Sequence, residues 1–143
     1  MTTIAEDIIS MLEGAGLGQR HVTLFTPADA RAYEARPLTC IVTEARSSQD
    51  SDVTVQADRS VINLVFAGQY DQKGQTKVYD LAHSIYIYLR NGGQAPFCLL
   101  DKVVNGHTYL CIKAQHPPSH DGIDPDGRTI YSFEVEIYRV LEE

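Results

Sequence analysis

The chain has 143 residues, nineteen acidic against twelve basic, for a formal charge of -7 and a pI near 5.1. Its 43% hydrophobic and 22% charged residues are ordinary for a globular protein and exclude wholesale disorder, and the length suits one domain spanning 1–143. The acidity repels phosphate backbones and anionic membranes, so neither specific nucleic-acid binding nor a membrane partner is expected, and the longest apolar stretch (85–89) is far short of the roughly 20 residues that cross a bilayer.

In chain order, residues 3–14 predict a short helix. Thr3 and Glu6 have capping-box spacing, Ile4, Ile8, Met11 and Leu12 share one stripe, and Gly14 and Gly16 can end the helix. The opening residues lack the basic segment of a signal peptide, which predicts a protein made and kept in a cytoplasm. A short extended piece is expected at 21–25, followed by a polar, Ala-rich turn or loop at 27–36. The β-branched run at 38–43 reads as a strand. Residues 46–59 are polar with little period and predict a long exposed loop, whereas 60–67 are apolar on both faces except Asn63, as in a central strand.

Val78, Leu81, Ala82, Ile85 and Leu89 make one apolar stripe of a helix over 75–91, closed by Asn91-Gly92-Gly93. Tyr79, His83 and Tyr86 lie on a second, semi-polar face of that helix. Asn105-Gly106 between two apolar runs predicts a tight hairpin, with Leu100 opposite Cys111. A loop rich in Pro, Gly, Asp and His is expected at 116–128. The last strand alternates, with Tyr131, Phe133, Val135 and Ile137 pointing one way and Ser132, Glu134, Glu136 and Tyr138 the other. The fold class expected from this order is α+β: a mixed or antiparallel sheet of four to five strands with two helices packed on one face.

Signals for chemistry are sparse. Cys40, Cys98 and Cys111 are odd in number, have no CxxC spacing and sit among apolar neighbours, which predicts free structural thiols. Cys98 and Cys111 are expected to be diagonal neighbours about 7–8 Å apart, beyond the roughly 6.8 Å limit of an unstrained disulfide. His116, His120, Asp121, Asp124 and Asp126 could ligate a metal through nitrogen and oxygen, but the spacing matches neither a zinc helix nor a calcium loop, and a solvated turn uses the same residues. Ser119, His120 and Asp121 are too close in sequence to converge as a triad. Glu134 and Glu136, two apart on one strand face, suit a solvated or interfacial surface better than paired acid–base work. The reading is therefore no enzyme, no metal and no cofactor.

The order of segments resembles the tail terminator (minor capsid) proteins of long-tailed bacteriophages. The match lies mainly over 60–143, in the central strand, the helix ending in Asn-Gly-Gly, and a strand leading into Pro118, Gly122, Asp124, Gly127 and Arg128 with the spacing P-x3-G-x-D-x2-G-R. A final strand ends at Tyr138-Arg139. The resemblance implies a structural subunit of the virion, assembled in the host cytoplasm into a ring homo-oligomer of six copies. Such a ring caps the head-proximal end of the tail tube, ends its polymerisation and joins the head. Its partners are then itself, the tail tube protein and a head-completion or neck protein, with DNA passing through the lumen without sticking. Candidate interface residues are Glu134, Glu136, Tyr138, His116, His120, Asp121, Asp124, Asp126 and Arg128. Two other readings are another head–tail connector and a small-ligand-binding α+β module outside phage.

Overall fold

Thr3 starts the first helix as its spacing predicts. Its hydroxyl accepts the Glu6 backbone N–H at 3.2 Å and donates to the Glu6 carboxylate at 3.1 Å, so the reciprocal contact runs to the side chain of Thr3 and not to its N–H. The computed structural model describes residues 3–27, 38–50, 57–69, 72–124 and 127–140. Helix α1 (Ile4–Gly14) turns Ile4, Ala5, Ile8, Ile9 and Leu12 inward. It stops where Ala15 N–H bonds back to Met11 O and Gly16 takes a positive φ. Helix α2 (Gln72–Leu89) buries Val78, Ala82, Ile85 and Leu89 of the stripe read from the sequence, half-buries its fifth member Leu81, and runs into a 3-10 turn at Asn91–Gly93.

Among the described residues seven strands join one sheet: β1 (Leu24–Phe25), β2 (Leu38–Asp50), β3 (Ala57–Gln69), β4 (Leu99–Val104), β5 (His107–Ala114), β6 (Ser119–Ile123) and β7 (Arg128–Val140). The spatial order is β1-β2-β3-β7-β5-β4, and β6 also pairs with β7. Among the described strand pairs only β1 and β2 run parallel, so the sheet is mixed. β7 pairs with β3 along its whole length on one side. On the other side β6 takes its first part (Thr129–Ser132) and β5 its last (Val135–Arg139).

Alternation decides which face is dry. Cys40 and Val42 of β2, Ile62, Leu64 and Phe66 of β3, and Tyr131, Phe133, Val135 and Ile137 of β7 point to the side that both helices cover. Phe66 and Phe133 stack at 5.7 Å, and Tyr86 of α2 meets Phe133 edge-on at 5.8 Å. On β5, a register shift between Tyr109 and Cys111 makes Leu110 a bulge. The bulge flips the parity of the strand, so Tyr109 and Ile112, three apart, are both fully buried. The hairpin turn at Asn105-Gly106 has positive φ at both residues, and Leu100 does lie opposite Cys111.

Three expectations need correction. The sheet has seven strands, not four to five: the extended piece at 21–25 contributes the two-residue β1, and β6 is an additional strand. The loop expected at 46–59 is largely strand, because β2 stays paired with β3 from Arg46↔Val61 to Asp50↔Ala57. Only 51–56 separates them, and those residues lie outside the described set, as does 28–36 of the stretch read as a turn or loop. The loop expected at 116–128 likewise contains β6, whose side chains are mostly exposed. In both places backbone ladders next to a long strand hold polar sequence extended, which side-chain period does not reveal.

Phe133 is fully buried between Phe66 and Tyr86. Phe133→Ala is expected to lower the unfolding free energy by about 3–5 kcal/mol, read as a lower urea midpoint with an unchanged slope.

Candidate functional site

The sheet face turned away from the helices carries Ser132, Glu134, Glu136 and Tyr138 of β7, all half-exposed. The register sets Asn63 beside Glu134, Val61 and Lys113 beside Glu136, and Arg59 and Cys111 beside Tyr138. Glu136 is the hub. Its Oε2 accepts from Arg59 Nη2 at 2.9 Å and from Gln115 Nε2 at 2.6 Å, and Tyr138 hydrogen-bonds the same carboxylate. Arg59 holds the Glu136 carboxyl below the usual carboxylate range, against the opposing effect of partial burial. The carboxylate in turn raises Tyr138, because a phenolate beside it is disfavoured, and raises Arg59 by favouring the cation. Glu134 shares this face two residues away, and its backbone carbonyl accepts from Gln115 N–H at 2.9 Å. The result is a pre-ordered polar surface of mixed sign on a rigid strand.

Of the described residues between 116 and 128, β6 brings to that row Ser119, which is paired with Ser132, and Asp121. Its carboxylate accepts from the hydroxyl of Ser132, the next outward residue before Glu134, and from Ser119 Oγ at 3.5 Å. His120 turns to the opposite face, where Nε2 meets Thr129 Oγ1 at 2.9 Å and the ring lies 4.9 Å from that of Tyr131. Ser119, His120 and Asp121 therefore do not converge. His116 donates from Nδ1 to the Pro117 carbonyl at 2.9 Å. Asp124 closes the β6–β7 turn: its Oδ1 accepts from Arg128 N–H at 2.8 Å and its own N–H donates to Arg128 O at 2.9 Å. The Arg128 guanidinium reaches across to Thr39 Oγ1 and Ala67 O, both at 3.2 Å, tying β7 to β3 and β2. Asp126 lies outside the described residues. Among the described residues, no three His, Cys, Asp or Glu side chains are grouped to hold a metal ion.

The cysteines divide by environment. Cys40 is fully buried, and desolvation pushes its thiol far up. Cys111 is pushed up to about 11 by burial first, then by the neighbouring Cys98 thiol and Glu136.

Sequence reading missed a buried polar knot. Asp7 of α1 is fully buried and accepts from Asn105 Nδ2 at 2.9 Å, from His107 Nδ1 at 2.8 Å and from the Tyr109 hydroxyl. The Arg139 guanidinium lies against His107, with Nη1 3.4 Å from Nδ1, and Arg20 reaches Ser10 Oγ and Glu6 O at 3.2 Å. Desolvation and then Asp7 raise the Tyr109 phenol well above its ordinary value. The signal was available: Asp7 falls three residues after Ile4 and four before Met11, inside the apolar stripe of α1. The knot pins α1 to the β4–β5 hairpin and to β7.

Compared with known proteins, the chain matches no family model and no curated sequence.

Removing Asp7 takes the acceptor from two buried donors, His107 and Tyr109. Asp7→Ala is expected to cost about 3–5 kcal/mol, and a cycle with Tyr109→Phe in urea melts is expected to show coupling of roughly 1 kcal/mol or more. The pH dependence follows from the two shifts. Glu136, held low, contributes stability above its ordinary value of 4.5 that is lost as pH falls below it. Tyr109, held high, contributes stability below its ordinary value of 10.0 that is lost as pH rises beyond it. Thermal melts of Glu136→Gln and Tyr109→Phe against wild type are expected to differ most on the neutral plateau. The differences shrink on the acid and alkaline sides respectively.

Proposed function

We propose that this chain is a structural subunit of a tailed-phage virion, of the tail terminator kind. Copies close into a six-membered ring on the head-proximal end of the tail tube, stop tube growth and present a surface to a head-completion protein. The observation that carries the reading is the outward row of β7. Glu134, Glu136 and Asp121, with Arg59 and Gln115 fixing Glu136, put ordered charge on the face that the helices leave uncovered. The spacing of Pro118, Gly122, Asp124, Gly127 and Arg128 adds the family resemblance.

In the ring the helix layer faces outward and the β7 row faces the lumen. Along that wall Asp121, Glu134 and Glu136 outnumber Arg59 and Lys113, so the net repulsion of phosphates lets the duplex slide without binding, and the net charge of -7 acts in the same direction. Long strands suit this role, because they place wall residues on a frame that does not rearrange as load passes.

Native mass spectrometry with negative-stain imaging over a concentration series tests the ring: a particle near 95 kDa with a central hole, six times the 15.9 kDa chain, is expected. Added to polymerising tube protein, the ring is expected to yield tubes of fixed length. Uncapped growth in its presence sinks the reading. The Glu134→Gln/Glu136→Gln pair is expected to leave the ring intact and to increase DNA retention on it at low salt. Loss of the ring instead places that face between subunits.

A further inference from the structure

The two outer margins of the sheet are complementary. At the β1–β2 margin a cleft of about 350 Å³ opens beside the start of α1. Threonines and the exposed Pro27 form its accessible wall over a floor of Ala5 and Val42, which are buried, while Glu6 and the exposed Glu44 supply negative charge. At the opposite margin the β4–β5 hairpin presents the reverse character. Val103 is 69% exposed and Leu100 48%, with Lys102 exposed between them. Lys102 and Val103 leave the strand on opposite sides, so an edge-on approach presents an aliphatic knob and a cation together.

We infer that the β4–β5 hairpin of one copy seats in the α1–β2 cleft of the next, with Val103 entering beside Pro27 and Thr26 while Lys102 meets Glu44 and Glu6. The cleft is at the small end of the roughly 300–1,000 Å³ range of ligand pockets, room for a few aliphatic groups. Because knob and cleft lie at opposite ends of the strand order, the contact is heterologous and generates a ring when the rotation closes. The β4 edge is poorly suited to the alternative, direct strand addition. Asp101 has φ +53 in mid-strand and the Asp101–Lys102 pair is charged, which blunts the edge as a template. A stable contact needs roughly 800 Å² per partner, and the exposed Leu100 and Phe97 flank the knob to extend it.

The inference rests on the ring reading, and charge reversal tests it. Sedimentation velocity of the full chain over a concentration series is compared for wild type, Lys102→Glu, Glu44→Lys and the double reversal, with circular dichroism confirming the fold of each. Wild type is expected to associate. Each single reversal is expected to raise the half-assembly concentration roughly tenfold or more, and the double reversal to restore it to within about threefold of wild type. Single reversals that assemble like wild type, a double reversal that stays as impaired as the singles, or a wild type that is monomeric at the highest attainable concentration each overturn the inference. The tube-capping assay separates the two claims. A wild-type chain that caps tubes while the reversals leave assembly unchanged removes this contact and keeps the function. A chain that assembles through Lys102 and Glu44 without capping tubes does the opposite.

Discussion

The rest of the structure depends on β7 being shared. One strand of thirteen residues pairs with β3 along its full length and divides its other edge between β6 and β5. Its inward residues supply the centre of the core, and its outward residues supply the charged row. Because the two sets alternate strictly, neither can shift by a residue without the other, and a one-residue slip would bury Glu134 and Glu136 while exposing Phe133 and Val135. Arg128 adds a cross-tie at the start of the strand by bonding to Thr39 and to the Ala67 carbonyl. Core packing and surface charge are thus set by one register.

The Asp7 knot serves the same end differently. A buried carboxylate is unfavourable unless its hydrogen-bonding capacity is filled, and here Asn105, His107 and Tyr109 fill it from a hairpin about a hundred residues away in sequence. Apolar contact alone would let α1 slide along the sheet, whereas directional bonds to one carboxylate fix its position and rotation. The start of α1 lines the cleft at the β2 margin and its Asp7 reaches the β4–β5 turn, so one knot positions both margins relative to each other.

Elements with a clear side-chain period were legible. The stripes of α1 and α2, the alternation of 131–138, the central strand around Val61–Ala67 and the Asn105-Gly106 turn follow from local chemistry, and so does the α+β class. The polar halves of β2 and β3 and the whole of β6 were not legible, since what holds them is backbone pairing with strands distant in sequence. The bulge at Leu110 was hidden for a related reason: simple alternation places Tyr109, Cys111 and Lys113 on one face, and the shift sends Tyr109 inward alone. At the site, Glu134, Glu136 and Tyr138 were readable as one outward face, but the Arg59 and Gln115 partners of Glu136 needed the register. His120 and Asp121 were grouped by sequence and separated by strand parity. Asp7 was readable as an acid in an apolar stripe, and its partners were not.

The long β2–β3–β7 ribbon has a mechanical consequence. Antiparallel rungs lie perpendicular to the strand axis, and β3 carries a ladder on each side, unbroken along β7 and shifted at a bulge between Glu44 and Arg46 along β2. A pull along β3 therefore loads both ladders in shear, with every rung strained at once, whereas a pull across the sheet peels rungs one at a time. The two-residue β1 and the interrupted β4 are the margins where peeling would begin. This architecture is stiff along its strands and compliant at its edges, so force transmitted along the strand direction would be carried with little deformation of the charged row.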